Sequence, residues 1–224
     1  MERMNHEQSS SRESVAAAMV DICRRLAAKG LVVATDGNVS SRLPSGNILI
    51  TRAGVNKGMI GESDLVEVRR DGTGGDLRPT TEIRMHLFVY ERRRDVRAIV
   101  HAHPPFATAF AVAGIPLDRP VLPEVVAGLG GIPLAPYATP STDEVPDSLL
   151  PFVEHYTAIL LSNHGAITFG TDLHDAYFKM EKVEHAAEII YRARMLGTVR
   201  ELSEDDLARL RAVAYAAHGR EVKG

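Results

Sequence analysis

The segment from Ile99 to Pro105 constrains the fold most, because an apolar run here ends on two consecutive prolines. We expect a β-strand, in which side chains alternate between faces, so that His101 and His103 point the same way. At a rise of about 3.3 Å per residue, their Cβ atoms lie roughly 6.6 Å apart. Since proline cannot donate to a ladder, Pro104 ends the strand. Two imidazoles placed in this way can bind one metal ion, or each can make separate hydrogen bonds.

Length and charge narrow the class of protein. The 224 residues suit a single domain, and 26 Lys and Arg against 29 Asp and Glu give no general argument for nucleic acid or a membrane surface as partner. Cys23 is the only cysteine, so no internal disulfide can form, which fits a reducing cytoplasm. No apolar run approaches the ~18 residues of a membrane span. We therefore expect a flexible leader over 1–10, one domain over 11–224, and a cytoplasmic location.

Apolar periodicity predicts a mixed α/β chain. Helical spacing predicts helices over 11–30, 79–93, 106–113, 171–195 and 203–218, and one within 143–155. Short apolar runs predict strands at 31–33, 47–51 and 64–68, and a hairpin over 157–169. The buried stripes of the last two helices are expected to include Met195 and Val213. Residues 117–137 are rich in proline and glycine and give no clear assignment.

Two loops of small residues can offer backbone N–H groups to an anion. In the segment 35–40, Gly37 and Asn38 tolerate positive φ, and N–H donors and hydroxyls can surround a phosphate. Gly54 closes a second loop of this kind. An ordinary turn is the simpler interpretation of the first loop when it is considered alone. Phosphate binding is therefore a hypothesis that depends on the rest of the chain.

The start of the helix over 79–93 is a second place that favours an anion. Thr80 or Thr81 can cap this helix, and its first N–H groups and positive dipole end attract negative charge. Glu82 follows in the first turn. It either complements the dipole or serves as an acid or base in a site.

His164 lies at the tip of the predicted hairpin, directly after an apolar strand. A histidine in a turn is usually solvated. Together with His101 and His103, however, it would give a metal three protein ligands and leave one position open. That arrangement is typical of catalytic zinc sites, whereas structural sites are closed.

Five motifs follow one another: Gly-Asn-Val-Ser from Gly37, Ile-Thr-x-x-Gly ending at Gly54, Thr-Thr-Glu ending at Glu82, His-x-His from His101, and Asn-His-Gly around His164. In this order and spacing the chain resembles the class II aldolase/adducin-head family over about 11–215. Within the family it is most similar to the L-fuculose-1-phosphate aldolases and related ketose-1-phosphate aldolases. The resemblance implies a three-layer α/β fold with a mostly antiparallel central sheet flanked by helices. It also implies a homotetramer with sites between subunits.

The resemblance also assigns roles. His101, His103 and His164 match the family's zinc ligands, and Glu82 matches its acid/base. The positions that match those holding the substrate phosphate and enolate are Gly37, Asn38, Gly54, Thr80 and Thr81, the two threonines standing where the family has serines. In this chemistry zinc stabilises the enediolate left when Glu82 takes a carbon-bound proton, which suits a carboxylate if burial raises its pKa toward neutrality. Imidazole ligands also suit manganese, cobalt or iron.

One departure from the family concerns the group that protonates the aldehyde oxygen. The fuculose-phosphate enzymes carry a tyrosine, donated across the subunit interface, before a Pro-Tyr-Ala-Thr segment that this chain has at 136–139. The preceding segment 123–130 looks shorter and has no tyrosine. Glu124 is a candidate replacement, and Tyr215 resembles the family's C-terminal tyrosine, which reaches a neighbouring site. The missing tyrosine argues against fuculose-1-phosphate itself as the substrate.

The resemblance therefore predicts a zinc-dependent aldolase that cleaves a ketose-1-phosphate or deoxyketose-1-phosphate to dihydroxyacetone phosphate and an aldehyde. The family also admits a 4-epimerase of pentulose-5-phosphates, a dehydratase of methylthioribulose-1-phosphate and a decarboxylase of a phosphorylated sugar acid. The alternative to an enzyme is a non-catalytic, adducin-like interaction module. The intact His101, His103, His164 and Glu82 argue against that module.

Overall fold

The strand that carries the His-x-His motif lies in the middle of a seven-stranded sheet. The computed structural model describes residues 11–218, with side chains up to Val213. The strands are β1 (Asn38–Arg42), β2 (Ile48–Thr51), β3 (Leu65–Val68), β4 (Ala98–Ala102), β5 (Leu134–Ala135), β6 (Ala158–Leu161) and β7 (Gly165–Gly170). Their spatial order is β3-β2-β1-β4-β7-β6-β5. Each pair of neighbours is antiparallel except β5 and β6, so the prediction of a mostly antiparallel sheet is confirmed.

Helices cover both faces of this sheet. They are α1 (Arg12–Ala28), α2 (Ile83–Arg92), α3 (Pro105–Val112), α4 (Pro123–Leu129), α5 (Glu144–Leu149), α6 (Leu173–Leu196) and α7 (Glu204–His218). One core lies between the sheet and α1, α3, α4 and α6, and a second core lies between the sheet and α2 and α5. Strand β4 contributes side chains to both cores, because Val100 faces the first core and Ile99 faces the second. The three-layer α/β fold is confirmed.

Local sequence explains where the two longest helices begin. The Ser11 hydroxyl accepts the Ser14 N–H at 3.2 Å before α1, and the Asp172 carboxylate accepts the Asp175 N–H at 2.8 Å before α6. Gly170 allows α6 to pack directly on the end of β7, because a Cβ at that position would collide with the backbone of α6. Within the part of the chain that the structure describes, no helix is long and apolar enough to cross a membrane.

Three local expectations were wrong. Residues 31–33 form a bend rather than a strand, since the Leu31 carbonyl accepts the His103 N–H at 3.0 Å instead of pairing with a neighbouring strand. Asn38 begins β1 and does not belong to a loop. Met195 and Val213 are 73% and 67% exposed, because α6 and α7 have both left the core where these residues occur. The stretch without an assignment contains α4 and β5.

Candidate active site

His101 belongs to β4 and is completely buried. Its Nδ1 lies 3.0 Å from the Ala166 carbonyl oxygen on β7, which can only accept, so Nδ1 carries the proton. The other ring nitrogen, Nε2, faces His103 and Glu82 and is the atom that a metal ion would take. A backbone contact of this kind is how proteins fix the tautomer and direction of a metal-binding histidine.

His103 and His164 approach this nitrogen from two different turns. His103 follows the end of β4, and His164 ends the turn between β6 and β7. Gly165 makes their approach possible, because a Cβ there would lie 2.7 Å from the His103 ring and would also strike the Ala102 carbonyl oxygen. Asn163 adopts a φ of 57°, which directs the chain back into β7.

The three imidazoles surround a common point. Their ring centroids are 4.7 to 5.0 Å apart, and Nε2 of His101 lies 3.2 Å from Nε2 of His103. Two ligand atoms on one tetrahedral ion with bonds of 2.0–2.1 Å are about 3.3 Å apart. One nitrogen from each of the three residues lies within 4.8 Å of the others. The predicted cluster of His101, His103 and His164 therefore exists, and its donor set fits a transition-metal ion.

Glu82 lies against this cluster. It occupies the position just before α2. The sequence had suggested a position within the first turn of that helix. Its Oε2 lies 3.2 Å from His101 Nε2 and accepts the Asn38 amide at 2.8 Å. Its Oε1 lies 3.4 Å from His164 Nε2, is buried, and has no hydrogen-bond partner. This free oxygen faces the imidazole cluster and is the atom best placed to accept or deliver a proton.

The pKa of the Glu82 carboxyl group differs from the expectation. Burial raises the pKa of its carboxyl group, but the imidazoles of His101 and His164 and the Asn38 amide lower it by more, so the net pKa lies far below the ordinary value. The expectation that burial brings the pKa of Glu82 toward neutrality is therefore wrong. Burial lowers the pKa of His164 to about 4 and also lowers that of His103, each with repulsion from His101. These two rings are neutral at pH 7, as metal ligands must be.

The residues expected to hold phosphate lie at the same end of the sheet. Gly37 has a φ of 70°, and a Cβ there would lie 2.7 Å from the His101 carbonyl oxygen, so this turn rests on β4. Gly54 has a φ of 72° with open space where a Cβ would be. Thr80 is buried and its N–H donates to the Thr51 carbonyl at 3.0 Å, beside the loop of Gly54. Thr81 is exposed.

A chain of buried polar side chains, here called the relay, connects Glu82 to the interior. The Asn38 amide contacts Glu82, His86 Nε2 contacts Asn38 Oδ1, and His86 Nδ1 lies 2.7 Å from Ser40 Oγ. Ser40 Oγ lies 2.8 Å from the Tyr90 hydroxyl. Ser40, His86 and Tyr90 were not predicted from the sequence. Helical spacing between Glu82 and His86, and alternation between Asn38 and Ser40, were the signals that could have found them.

The donor and the acceptor of each hydrogen bond in the relay can be assigned by starting from Glu82. The Glu82 carboxylate can only accept, so the Asn38 nitrogen donates to it and Asn38 Oδ1 must accept from His86 Nε2–H. Burial lowers the pKa of His86 to about 3, so the ring is neutral and Nδ1 accepts from Ser40 Oγ–H. Tyr90 then donates to Ser40. Because every proton has one position, the relay holds the Glu82 carboxylate in one orientation.

Two candidates were expected for the missing tyrosine. Glu124 is exposed in the first turn of α4 and lines a cavity of about 790 Å³ with Lys29, Phe178 and Lys182. The structure does not bring Glu124 to His101, His103 or His164 of its own chain. Tyr215 lies in α7, and its side chain is outside the described residues. A role for either residue in a neighbouring subunit's site stays a prediction.

Comparison with known proteins agrees with this geometry. Residues 17–191 match the Class II Aldolase and Adducin N-terminal domain family. The chain is 32% identical over 208 residues to the 3-oxo-tetronate 4-phosphate decarboxylase of Escherichia coli K12, covering 89% of this chain and 96% of that protein. It is 30% identical over 202 residues to the 5-deoxy-D-ribulose 1-phosphate aldolase of Bacillus thuringiensis serovar kurstaki, covering 88% and 93%. The structure of L-fuculose-1-phosphate aldolase from Thermus thermophilus superposes with a TM-score of 0.75 at 32% identity, covering 83% of this chain and 96% of that one.

The chain belongs to the class II aldolase and adducin N-terminal domain family. It is an enzyme of the lyase class, since its relatives are aldolases and decarboxylases. The predicted resemblance is confirmed. Class II aldolases are metal dependent, and His101, His103 and His164 are able to hold the ion.

Proposed function

We propose that the protein is a zinc-dependent aldolase that cleaves a ketose-1-phosphate or deoxyketose-1-phosphate to dihydroxyacetone phosphate and an aldehyde. The observation that carries this proposal is the free Oε1 of Glu82, which faces three imidazoles able to hold one ion. A base beside a Lewis acid is what proton transfer next to a carbonyl group requires.

His101, His103 and His164 would hold the zinc ion and leave one position open. A divalent ion held there supplies a Lewis acid for the carbonyl and neighbouring hydroxyl oxygens of the substrate. The protein's own contribution is to keep Glu82 ionised and fixed, with Oε2 bound to the Asn38 amide and Oε1 free. A carboxylate with a low pKa is a weak base, so proton transfer to it requires a carbon acid that is already strongly activated.

Cleavage breaks the bond between C3 and C4 of the sugar. The C4 hydroxyl loses its proton as C4 becomes the aldehyde carbon, and the electron pair of the bond moves toward the C2 carbonyl. Glu82, which is ionised before the reaction, takes a proton from solvent and delivers it to C3. A second group must take the hydroxyl proton. We assign this step to Glu124 or Tyr215 of a neighbouring subunit in a homotetramer.

The phosphate end of the substrate is proposed to lie among the loops at this end of the sheet. Gly37, Asn38, Gly54, Thr80 and Thr81 would hold it through N–H groups and hydroxyls. The open space beside Gly54 supports this assignment. The Thr80 N–H is used by the Thr51 carbonyl, so Thr80 would contribute its hydroxyl. Holding a phosphate away from the reacting carbon positions the substrate for the chemical step.

Decarboxylation of a phosphorylated 3-oxo sugar acid is the second candidate. It is favoured by the 32% identity to 3-oxo-tetronate 4-phosphate decarboxylase. Both reactions break a carbon–carbon bond and send its electron pair toward an adjacent carbonyl, so the same metal site and the same Glu82 serve either. They differ in the fragment that leaves, which is an aldehyde in one case and carbon dioxide in the other.

Proton exchange tests the aldolase directly. Zinc-loaded protein should exchange the C3 proton of dihydroxyacetone phosphate with deuterium, as followed by NMR, and absence of exchange would exclude the aldolase. A panel of phosphorylated ketoses and 3-oxo sugar acids then identifies the product. Carbon dioxide release without exchange would establish the decarboxylase, and epimerised or dehydrated pentulose products would establish the other reactions of the family.

A further inference from the structure

Lys57 lies behind the site and has no role in the proposal above. It is only 2% exposed, and its Nζ donates to the Thr35 carbonyl at 2.8 Å and to the Val55 carbonyl at 2.9 Å. Lysine is almost never this deeply buried unless its charge is paired. Among the described residues, no carboxylate oxygen lies within 4.0 Å of this ammonium group. An ammonium has three N–H donors, so one of them is not used by these two carbonyls.

The ammonium of Lys57 lies between the core and the active site. Burial lowers the pKa of this ammonium, and the buried Cys23 sulfur and the carboxylates of Asp36 and Glu82 act against that effect. The ammonium is therefore close enough to influence the residues that face the substrate, although it does not contact the imidazole cluster.

The two carbonyls held by Lys57 belong to the two loops proposed to bind phosphate. Thr35 precedes Gly37 in the first loop, and Val55 follows Gly54 in the second. The ammonium thus joins both loops through one carbonyl group of each. A positive charge at that position favours an anion on the outer side.

A half-buried lysine, Lys179, shows what a purely structural arrangement looks like. Lys179 Nζ also donates to a carbonyl, that of Phe169 at 2.9 Å, but it additionally contacts Asp175 Oδ2 at 2.8 Å. Its charge is neutralised inside the protein. Lys57 has two carbonyl contacts and no carboxylate in contact, so its charge is available to an anion bound at the two loops.

We propose that Lys57 is a positioning residue of the substrate-anion site, joining the loops of Gly37 and Gly54 and supplying the fixed positive charge that makes this site take a phosphate dianion. The inference rests on the proposed function for the identity of the substrate. It concerns the anion alone, so it can be tested with inorganic phosphate, without any turnover.

The test compares variants by calorimetric titration of inorganic phosphate into zinc-loaded and chelator-treated protein. Lys57→Met should weaken phosphate binding at least tenfold in both samples, and Lys57→Gln, which keeps two N–H donors without the charge, should weaken it nearly as much. Lys179→Met is the matched control and should bind phosphate within twofold of wild type. Loss of phosphate binding with the same dihydroxyacetone phosphate exchange rate at saturation would show a KM effect, as expected of a positioning residue.

Equal phosphate affinity in wild type and both Lys57 variants would overturn the proposal, and so would an equal loss in Lys179→Met. If the Lys57 variants do not fold, ¹⁵N-lysine-labelled wild-type protein replaces them. The ammonium resonances of Lys57 and Lys179 are distinguished by comparison with Lys179→Met, and phosphate should shift the resonance of Lys57. An unshifted resonance would also overturn the proposal. Phosphate binding that depends on Lys57 in a protein without aldolase or decarboxylase activity would refute the proposed function and leave this inference intact.

Discussion

Four histidines lie close together at one end of the sheet, and they fall into two kinds. His101, His103 and His164 each present a ring nitrogen to a shared space, with these nitrogens within 4.8 Å of one another. His86 is as buried as His101, but Asn38 contacts one of its ring nitrogens and Ser40 contacts the other. Burial alone therefore does not identify a metal ligand. Ring nitrogens that converge on one point within reach of a single ion do.

The two kinds of histidine act on Glu82 from opposite sides. The cluster lies in front of the carboxylate, where a metal and substrate are proposed to bind, and the relay of Asn38, His86, Ser40 and Tyr90 lies behind it. Removing a cluster histidine should abolish metal binding, whereas removing His86 should leave the metal and disturb the base. The following predictions test this distinction.

The largest effect is expected for His103→Ala. Two remaining imidazoles bind zinc poorly, so the variant should lose the metal together with its activity, by more than the roughly 10–100-fold that loss of an outer partner costs. The matched control is His174→Ala, which removes an exposed histidine from α6. Metal content by elemental analysis and exchange of dihydroxyacetone phosphate report the two losses. Full metal content in His103→Ala would contradict the assignment of the cluster.

Glu82→Gln should keep the metal and lose proton transfer. General acid–base catalysis is worth about 10²–10⁴-fold, so deuterium exchange should fall by that factor. Metal content within error of wild type is the accompanying measurement. Loss of the metal in this variant would mean that Glu82 is a ligand or a structural support and not the base.

His86→Gln should reduce activity by about 10-fold to 100-fold while the metal stays bound, as is usual for partners that orient a functional group. Glutamine can donate to Asn38 Oδ1 but cannot also accept from Ser40 in the same geometry. The fall should appear in kcat with KM nearly unchanged, because His86 does not touch the substrate. A fall that appears in metal affinity instead would place His86 among the ligands.

The smallest effect concerns stability against pH in the metal-free protein. Burial lowers the pKa of His86 to about 3, against about 6.5 in the unfolded chain. Its contribution is therefore complete above about pH 6.5 and is lost as the pH falls toward 3, with a slope of up to about 1.4 kcal/mol per pH unit. Urea unfolding between pH 4.5 and 7 should show a smaller slope in His86→Gln than in wild type. Equal slopes would show that His86 is not buried in its neutral form.

Sequence motifs predicted the cluster well because its geometry is local. Alternation along one strand places His101 and His103, and a tight hairpin places His164, so the order of the motifs was enough. The same reasoning failed for the run at 31–33, where hydrophobicity predicts burial but not the partner of the backbone. Leu31 is buried as predicted, although it contacts His103 rather than a strand.

Residues that depend on packing between distant segments could not be found in this way. His86 had the composition of an ordinary helix residue, and its importance appears only when β1 brings Asn38 and Ser40 against α2. Lys57 is a stronger case, because a lysine in a glycine-rich loop is expected to be solvated, yet it is 2% exposed. The low pKa of Glu82 likewise depends on two imidazoles that arrive from β4 and the β6–β7 turn.

Elemental analysis of the protein purified without chelators tests the central claim most directly. We predict about one divalent transition-metal ion per chain in wild type and in His86→Gln, and almost none in His103→Ala. The absence of bound metal from wild type, or equal metal content in all three proteins, would contradict the distinction between the histidine cluster and the relay.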